Sequence, residues 1–366
     1  MIPFFSFNYQ NDLFKENLNK AFSSVLDSKN YVLGKNVKDF EKKYSVYNKV
    51  KYSIGVSSGL DALIICLKAI NIGANDEVIV ASNAYIACWL AISNVGAKII
   101  PVEPNIKTFN IDPLKIEKKI TKRTKAIMPV HLFGQPCQMD EIMKIANKYN
   151  LYVIEDNAQA HLSKFNNQYT GTFGQINATS FYPTKNLGAL GEAGCVTTND
   201  KDLCEFSLAY RNYGYNRKYE CKIRGRNFRI DEIQASILNV KIKYLKKLNQ
   251  ERISLAKIYD DNLGSILNLK IPYKDPNCVH VYHLYVIRTN KRDDLKDYLI
   301  KNGIQTLIHY PIPPHLQLAY KNLGFKKGDF PIAEDISETS LSLPLYPGLK
   351  KKDILYICNK ISKFFS

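Results

Sequence analysis

Three short segments bring reactive side chains to points where the chain leaves regular structure. The first is VIEDNAQAH, residues 153–161, in which an apolar run ends in Glu155 and Asp156 before a polar turn. Ionised carboxylates are costly in a core, so both acids are expected at a strand's C-terminal edge, where ligands usually bind. An acid there can cap the next helix, bind a metal or pair with a protonated heterocycle. The second segment is SFYPTKNLGALGEAG, 180–194, where Lys185 stands between a strand-like run and a Gly-rich turn. Gly188, Gly191 and Gly194 permit close backbone approach, and the Ser180 hydroxyl can bind a phosphate. A lysine among cationic and apolar groups can lose its proton and attack an aldehyde; at the surface it is one more solvated cation. The third is GVSSGLDALIICLKAI, 55–70, a small-residue turn opening a helix. Free amides at a helix start attract phosphate, and Gly59 lets it come close. Asp61 can cap this helix but would partly repel the phosphate, so the amides of Gly59 and Leu60 are the candidate ligands. The spacing is neither a Walker A loop nor a G-x-G-x-x-G.

The elements that must hold these segments alternate. Strand-like runs are EVIVAS (77–82), KIIPVE (98–103), KAIMPVHL (125–132), LYVIED (151–156), ATSFYP (178–183) and GCVTTN (194–199). Helical patterns lie at LDALIICLKAI (60–70), AYIACWLAISNVG (84–96) and MDEIMKIANKY (139–149). Continuous apolar strands alternating with helices predict an α/β fold with a mostly parallel sheet covered on both faces. From about residue 230 the pattern becomes one long amphipathic helix or two in tandem, spanning between domains. A strand at 280–289 and helices at 292–303 and 352–365 then predict a smaller α/β domain. The division expected is a large domain over 1–242 and a small C-terminal domain over 243–366, the connecting helix included.

With 366 residues the chain is too long for one core of common size, and 45% hydrophobic residues supply enough apolar surface for two. The net charge of +17 suggests polyanionic partners such as nucleic acid, anionic membrane or phosphorylated metabolites. The lysines are spread along the chain and no nucleic-acid module is present, so compositional bias accounts for the charge better than a nucleic-acid surface. The eight cysteines form no C-x-x-C pair and read as reduced thiols of a cytoplasmic protein. The start, MIPFFSFNYQNDLF, is not a signal peptide, and no run approaches the length of a membrane span. His280 and His283, three apart in a presumed strand, would point to opposite faces, so no metal site is expected.

Taken in order, SSGLDAL, NAYIACWLAI, VHLFGQPCQMDEI, VIEDNAQAH, SFYPTKNLGALGEAG, RNYG, GRNFRIDEIQASIL and HYPIPPHLQLAY resemble the DegT/DnrJ/EryC/StrS family of sugar aminotransferases. The resemblance covers nearly the whole chain. It implies a fold-type I, aspartate aminotransferase-like enzyme that uses pyridoxal 5'-phosphate (PLP). By that resemblance Lys185 forms the Schiff base and moves the proton during transfer, and Asp156 pairs with the pyridine nitrogen. Gln159 lies near the phenolic oxygen and Tyr85 stacks on the ring. Ser180 and the amides of Gly59 and Leu60 hold the phosphate, with Asn227 reaching it from the partner of a homodimer with shared active sites.

The resemblance further implies transfer from L-glutamate to a nucleotide-linked keto-6-deoxy sugar, serving a lipopolysaccharide or other surface glycan. Many relatives have Thr where this chain has Leu60, and those acting at carbon 3 often carry the Leu. Carbon 3 of a dTDP-3-keto-6-deoxyhexose, giving a dTDP-3-amino-3,6-dideoxyhexose, is therefore expected. The alternatives are amination at carbon 4 of a UDP- or dTDP-4-keto sugar, and a PLP-dependent sugar dehydratase, which would lack the lysine. Arg217, Lys218, Tyr219, His309 and Tyr310 are the candidate substrate contacts, from a basic stretch between Arg211 and Arg229 and the late HYPIPPH segment. His315 is a further candidate for the sugar pocket.

Overall fold

The computed structural model describes residues 1–217 and 219–366. Its centre is a seven-stranded sheet. The strands are β1 (Tyr52–Val56), β2 (Glu77–Ala81), β3 (Lys98–Val102), β4 (Thr124–Met128), β5 (Tyr152–Asp156), β6 (Ile176–Ser180) and β7 (Gly194–Thr198). They lie in the order β1-β7-β6-β5-β4-β2-β3. Only β7 runs antiparallel to its neighbours β1 and β6; every other pairing is parallel. The parallel strands therefore end along one edge, which collects the turns after β1, β5 and β6. Ile54, Val78, Ile79, Ile127, Val153 and Val196 are fully buried, because a sheet covered on both faces has no solvent side to reserve for polar residues.

The helices are α1 (Asn8–Ser28), α2 (Lys35–Asn48), α3 (Gly59–Ala69), α4 (Ile86–Asn94), α5 (Met139–Tyr149), α6 (Lys201–Tyr210), α7 (Glu232–Lys241), α8 (Leu245–Leu263), α9 (Arg292–Lys301), α10 (Pro331–Thr339) and α11 (Lys351–Phe365). The long pattern after residue 230 is two helices in tandem, α7 and α8, joined by a 3-10 turn at Ile242–Tyr244. Phe14 and Leu18 of α1 pack with Ile237 and Leu248. A separate apolar core joins Leu255 and Tyr259 of α8 to Leu295, Leu341, Ile354 and Ile357. It surrounds the antiparallel pair β8 (Tyr285–Arg288) and β9 (Ser340–Leu343).

Some elements differ from the sequence reading. The run 125–132 stops being strand at Met128, where Pro129 has no amide to continue a ladder. The expected strand at 280–289 is only β8, preceded by a two-residue strand at Cys278–Val279. His280–Leu284 is irregular, and Tyr282 is left-handed at φ 44°. β1, α1, α2, α6 and α10 had no counterpart in that reading.

Candidate active site

The two acids at the end of β5 have different fates, because successive strand residues face opposite sides. Glu155 is fully buried. Its carboxylate accepts from the amides of Gly171 (2.7 Å), Phe173 (2.6 Å) and Gly174 (2.9 Å) and meets His131 Nε2 at 2.8 Å. His131 Nδ1 accepts from the Cys137 amide at 3.0 Å, so Nε2 carries the proton that Glu155 accepts. Glu155 is thus consumed in holding a loop. Asp156 instead borders an open cleft. Its Oδ1 accepts from the Ala158 amide at 3.0 Å, and its Oδ2 accepts from the Cys88 thiol at 3.0 Å.

Lys185 enters the same cleft from a turn just past β6. The Lys185 amide bonds to Tyr182 O at 2.8 Å, and the Ala189 amide to Phe181 O at 2.8 Å. Gly188 is required there, since a Cβ would sit 2.1 Å from Pro183 O. The buried Lys241 donates to Gly188 O at 2.9 Å, pinning the turn from behind. Burial lowers the Lys185 pKa from 10.5 to about 8, with Asp156 pulling in the opposite direction. Burial also lowers three nearby imidazoles, helped in each case by the Lys185 charge: His161 to about 3, His309 to about 4, and His283 well below its usual value.

The start of α3 closes another side. Ser58 caps the helix by accepting from the Asp61 amide at 3.1 Å, which leaves the Gly59 and Leu60 amides at the open end. The Asp61 carboxylate is turned back onto the hydroxyls of Ser57 (2.6 Å) and Ser58 (2.9 Å), which both donate to its Oδ2. A Cβ on Gly59 would lie 2.6 Å from Ser180 Cβ, so only glycine allows this close approach. The Ser180 hydroxyl accepts from the Tyr182 amide at 3.2 Å and keeps its own proton to donate.

The cleft has a volume of about 410 Å³, within the range of small-molecule sites. Gly59, Leu60, Tyr85, Asp156, Ser180, Lys185, His309 and Tyr310 all line it. Tyr85 and Tyr310 form an aromatic wall with centroids 5.2 Å apart. Gln159 lies behind it, donating to the Tyr310 hydroxyl at 3.2 Å and accepting from the Phe133 amide at 2.7 Å.

Other candidates lie elsewhere. Asn227 is exposed, bridges to Asn212 and is not among the residues lining its own chain's cleft. Arg217 and Tyr219 line a separate surface groove, and Lys218 lies outside the described residues. Arg211 is buried, with its Nη1 donating to Glu41 Oε1 and Gly55 O, and is not among the residues lining the cleft. His315 is not a pocket residue: it is buried, with Nε2 3.0 Å from Glu334. In contrast, His283, Tyr182 and Glu192 line the cleft without having been candidate cofactor or substrate contacts in the sequence. Buried Arg252 helps place His283, bonding to the carbonyls of Tyr282 and His283 at 3.3 Å each and Leu345 at 3.0 Å. Tyr182 and Glu192 belong to the same 180–194 segment as Lys185, whereas His283 arrives from a loop distant in sequence, which no local pattern marks.

An amine of lowered pKa, a carboxylate and an anion-binding helix start thus share one cleft. A profile of the DegT/DnrJ/EryC1/StrS aminotransferase family matches residues 12–362. The chain belongs to this family. It is 47% identical over 364 residues to dTDP-3-amino-3,6-dideoxy-alpha-D-galactopyranose transaminase of Aneurinibacillus thermoaerophilus, covering 100% of this chain and 99% of that one. It is 39% identical to dTDP-3-amino-3,4,6-trideoxy-alpha-D-glucose transaminase of Streptomyces venezuelae, covering 99% and 96%. The S. venezuelae DesV crystal structure superposes with a TM-score of 0.98 at 38% identity, covering 100% and 98%. NtdA from Bacillus subtilis, solved with bound cofactor PMP, gives 0.89 at 32% identity, covering 98% and 85%. The protein is a PLP-dependent aminotransferase. The cleft fits that cofactor: Asp156 suits a cationic ring nitrogen, Lys185 an aldehyde, and the Gly59–Ser180 cradle a phosphate.

Proposed function

We propose that this aminotransferase moves the amino group of L-glutamate to carbon 3 of a dTDP-3-keto-6-deoxyhexose. The observation that carries the chemistry is the meeting of Lys185, Asp156 and the α3 start in one cleft. The sugar position is supported by the two relatives at 47% and 39% identity, both dTDP-3-amino sugar transaminases.

When bound, PLP supplies an aldehyde for amines and a protonated ring that takes up charge as an α-proton leaves. The chain's own residues do the rest. Lys185 Nζ would accept the proton from the donor's α-carbon and deliver it to the cofactor's former aldehyde carbon, which its lowered pKa makes feasible near neutrality. Asp156 holds the ring nitrogen protonated. The Gly59 and Leu60 amides and the Ser180 hydroxyl bind the phosphate. Tyr85 would stack on the ring, Gln159 would serve its phenolic oxygen, and His309 and Tyr310 would meet the sugar. The exposed positions of Asn227, Arg217 and Tyr219 support their serving a partner's site in a homodimer. We further place the boundary between large and small domains at residues 242/243, supported by the separate core beyond it. No helix among the described residues is long and apolar enough to cross a membrane. Eight free cysteines, seven of them buried, support a reducing cytoplasmic setting, and a surface glycan is the proposed destination of the amino sugar.

Product analysis with matched 3-keto and 4-keto nucleotide sugars tests the reading. A 3-amino product formed with consumption of L-glutamate is expected. Turnover confined to 4-keto sugars would overturn the carbon-3 assignment.

A further inference from the structure

Cys88 stands in the first turn of α4, whose N-cap is the cleft residue Tyr85. It is fully buried, and its Sγ lies 3.0 Å from Asp156 Oδ2. Asp156 Oδ1 already accepts from the Ala158 amide, so each carboxylate oxygen has one protein donor. We propose that Cys88 is a positioning residue, whose thiol donates to Asp156 and sets that carboxylate's orientation before the cofactor arrives.

Three observations carry this. The only groups that the described residues offer in hydrogen bonds to Asp156's carboxylate are the Ala158 amide and the Cys88 thiol. Burial and the adjacent Asp156 push the Cys88 thiol well above its usual pKa, so it stays a protonated donor and not a second anion. The same turn of α4 presents Tyr85 to the cleft, so one short helix sets both the aromatic wall and the carboxylate. A thiol is a weak donor, which suits a carboxylate that must keep enough charge to hold a cationic ring nitrogen. A competing view is that Cys88 only fills space beside the buried Trp89.

The proposal rests on assigning Asp156 to the ring nitrogen, so the first measurement uses the full chain freed of cofactor and is independent of that assignment. Infrared difference spectra are recorded for the wild type against Cys88→Ser and against Asp156→Asn. The S–H stretch that Cys88→Ser removes is expected to be displaced by hydrogen bonding in the wild type and to relax in Asp156→Asn. The second measurement is PLP affinity in Cys88→Ser, Cys88→Ala and Cys88→Val. A hydrogen-bond role predicts near-wild-type affinity for the serine variant and losses of about tenfold for both apolar variants. A space-filling role predicts the reverse order, with valine tolerated better than serine. An S–H band unmoved by Asp156→Asn, or a Cys88→Val protein that binds PLP as tightly as the wild type, overturns the proposal. If Asp156→Asn retains full activity while the S–H band shifts, the ring-nitrogen assignment fails and the thiol contact stands.

Discussion

Lys185 is held in a cleft that makes it a better nucleophile, and the size of that effect follows from the structure. Its pKa is lowered to about 8 by burial, with the Asp156 carboxylate pulling back toward the charged form. Three imidazoles near it, His161, His283 and His309, are kept neutral and add no competing cation. At pH 7 a lysine titrating near 8 is neutral in roughly one molecule in ten, against about one in 3,000 for an ordinary lysine. Burial therefore raises the reactive fraction about 300-fold. Removing the carboxylate in Asp156→Asn removes the pull toward the cation, so the midpoint should move below about 8. Linkage has a definite sign here. The unfolded chain binds the extra proton between about pH 8 and 10.5, so the cofactor-free protein should gain stability as pH rises through that window. The assay is trace acylation of the cofactor-free protein across pH, with the Lys185 peptide quantified by mass spectrometry against exposed lysines such as Lys35. A Lys185 midpoint near 10.5 would refute the burial argument. A midpoint that rises in Asp156→Asn would refute the electrostatic one.

Lys185→Ala should abolish multiple turnover, measured as amino-sugar formation per enzyme, and sustained turnover by that variant would sink its assignment. Asp156→Asn should fold, judged by circular dichroism, yet lose activity on the order of a hundredfold or more; near-wild-type rates would leave Asp156 as a turn residue only. Gly59→Ala places a Cβ 2.6 Å from Ser180 Cβ, so the cradle must open, and PLP affinity by equilibrium dialysis should fall about tenfold. A mixed dimer of one Lys185→Ala chain and one Asn227→Ala chain should keep one site of wild-type PLP affinity if Asn227 serves its partner; a dimer with no such site contradicts shared sites.

Much of the site was readable because its parts are local. A small-residue turn before an apolar helix, an acid pair ending an apolar strand, and a lysine before a Gly-rich turn each follow from a few consecutive residues. The helix at 139–149 and the strands around the cleft were readable from apolar runs for the same reason. α1 and α2 were not, because α1 mixes Asn, Lys and Ser with its apolar positions and buries only Gln10, Phe14, Leu18 and Val25. It gains its apolar surroundings from α7 and α8, more than two hundred residues away.

Residue order alone determined that a lysine, an acid and a phosphate-seeking helix start would lie at strand ends, since strand direction and backbone polarity follow from local pattern. The resemblance pointed to Asp156 as the acid of the cleft, but the physical reason for that choice lies only in the three-dimensional structure. Glu155 and Asp156 are chemically alike neighbours, and the loop at Gly171–Gly174 happens to fold over one of them and supply it with amides. The same holds for His283 over His280. His280 stacks on Tyr282 at 3.9 Å and accepts its amide, while the irregular backbone turns His283 toward Lys185. Cys88 meets Asp156 across 68 positions of sequence. Such pairings depend on packing among distant segments, and no local pattern encodes them.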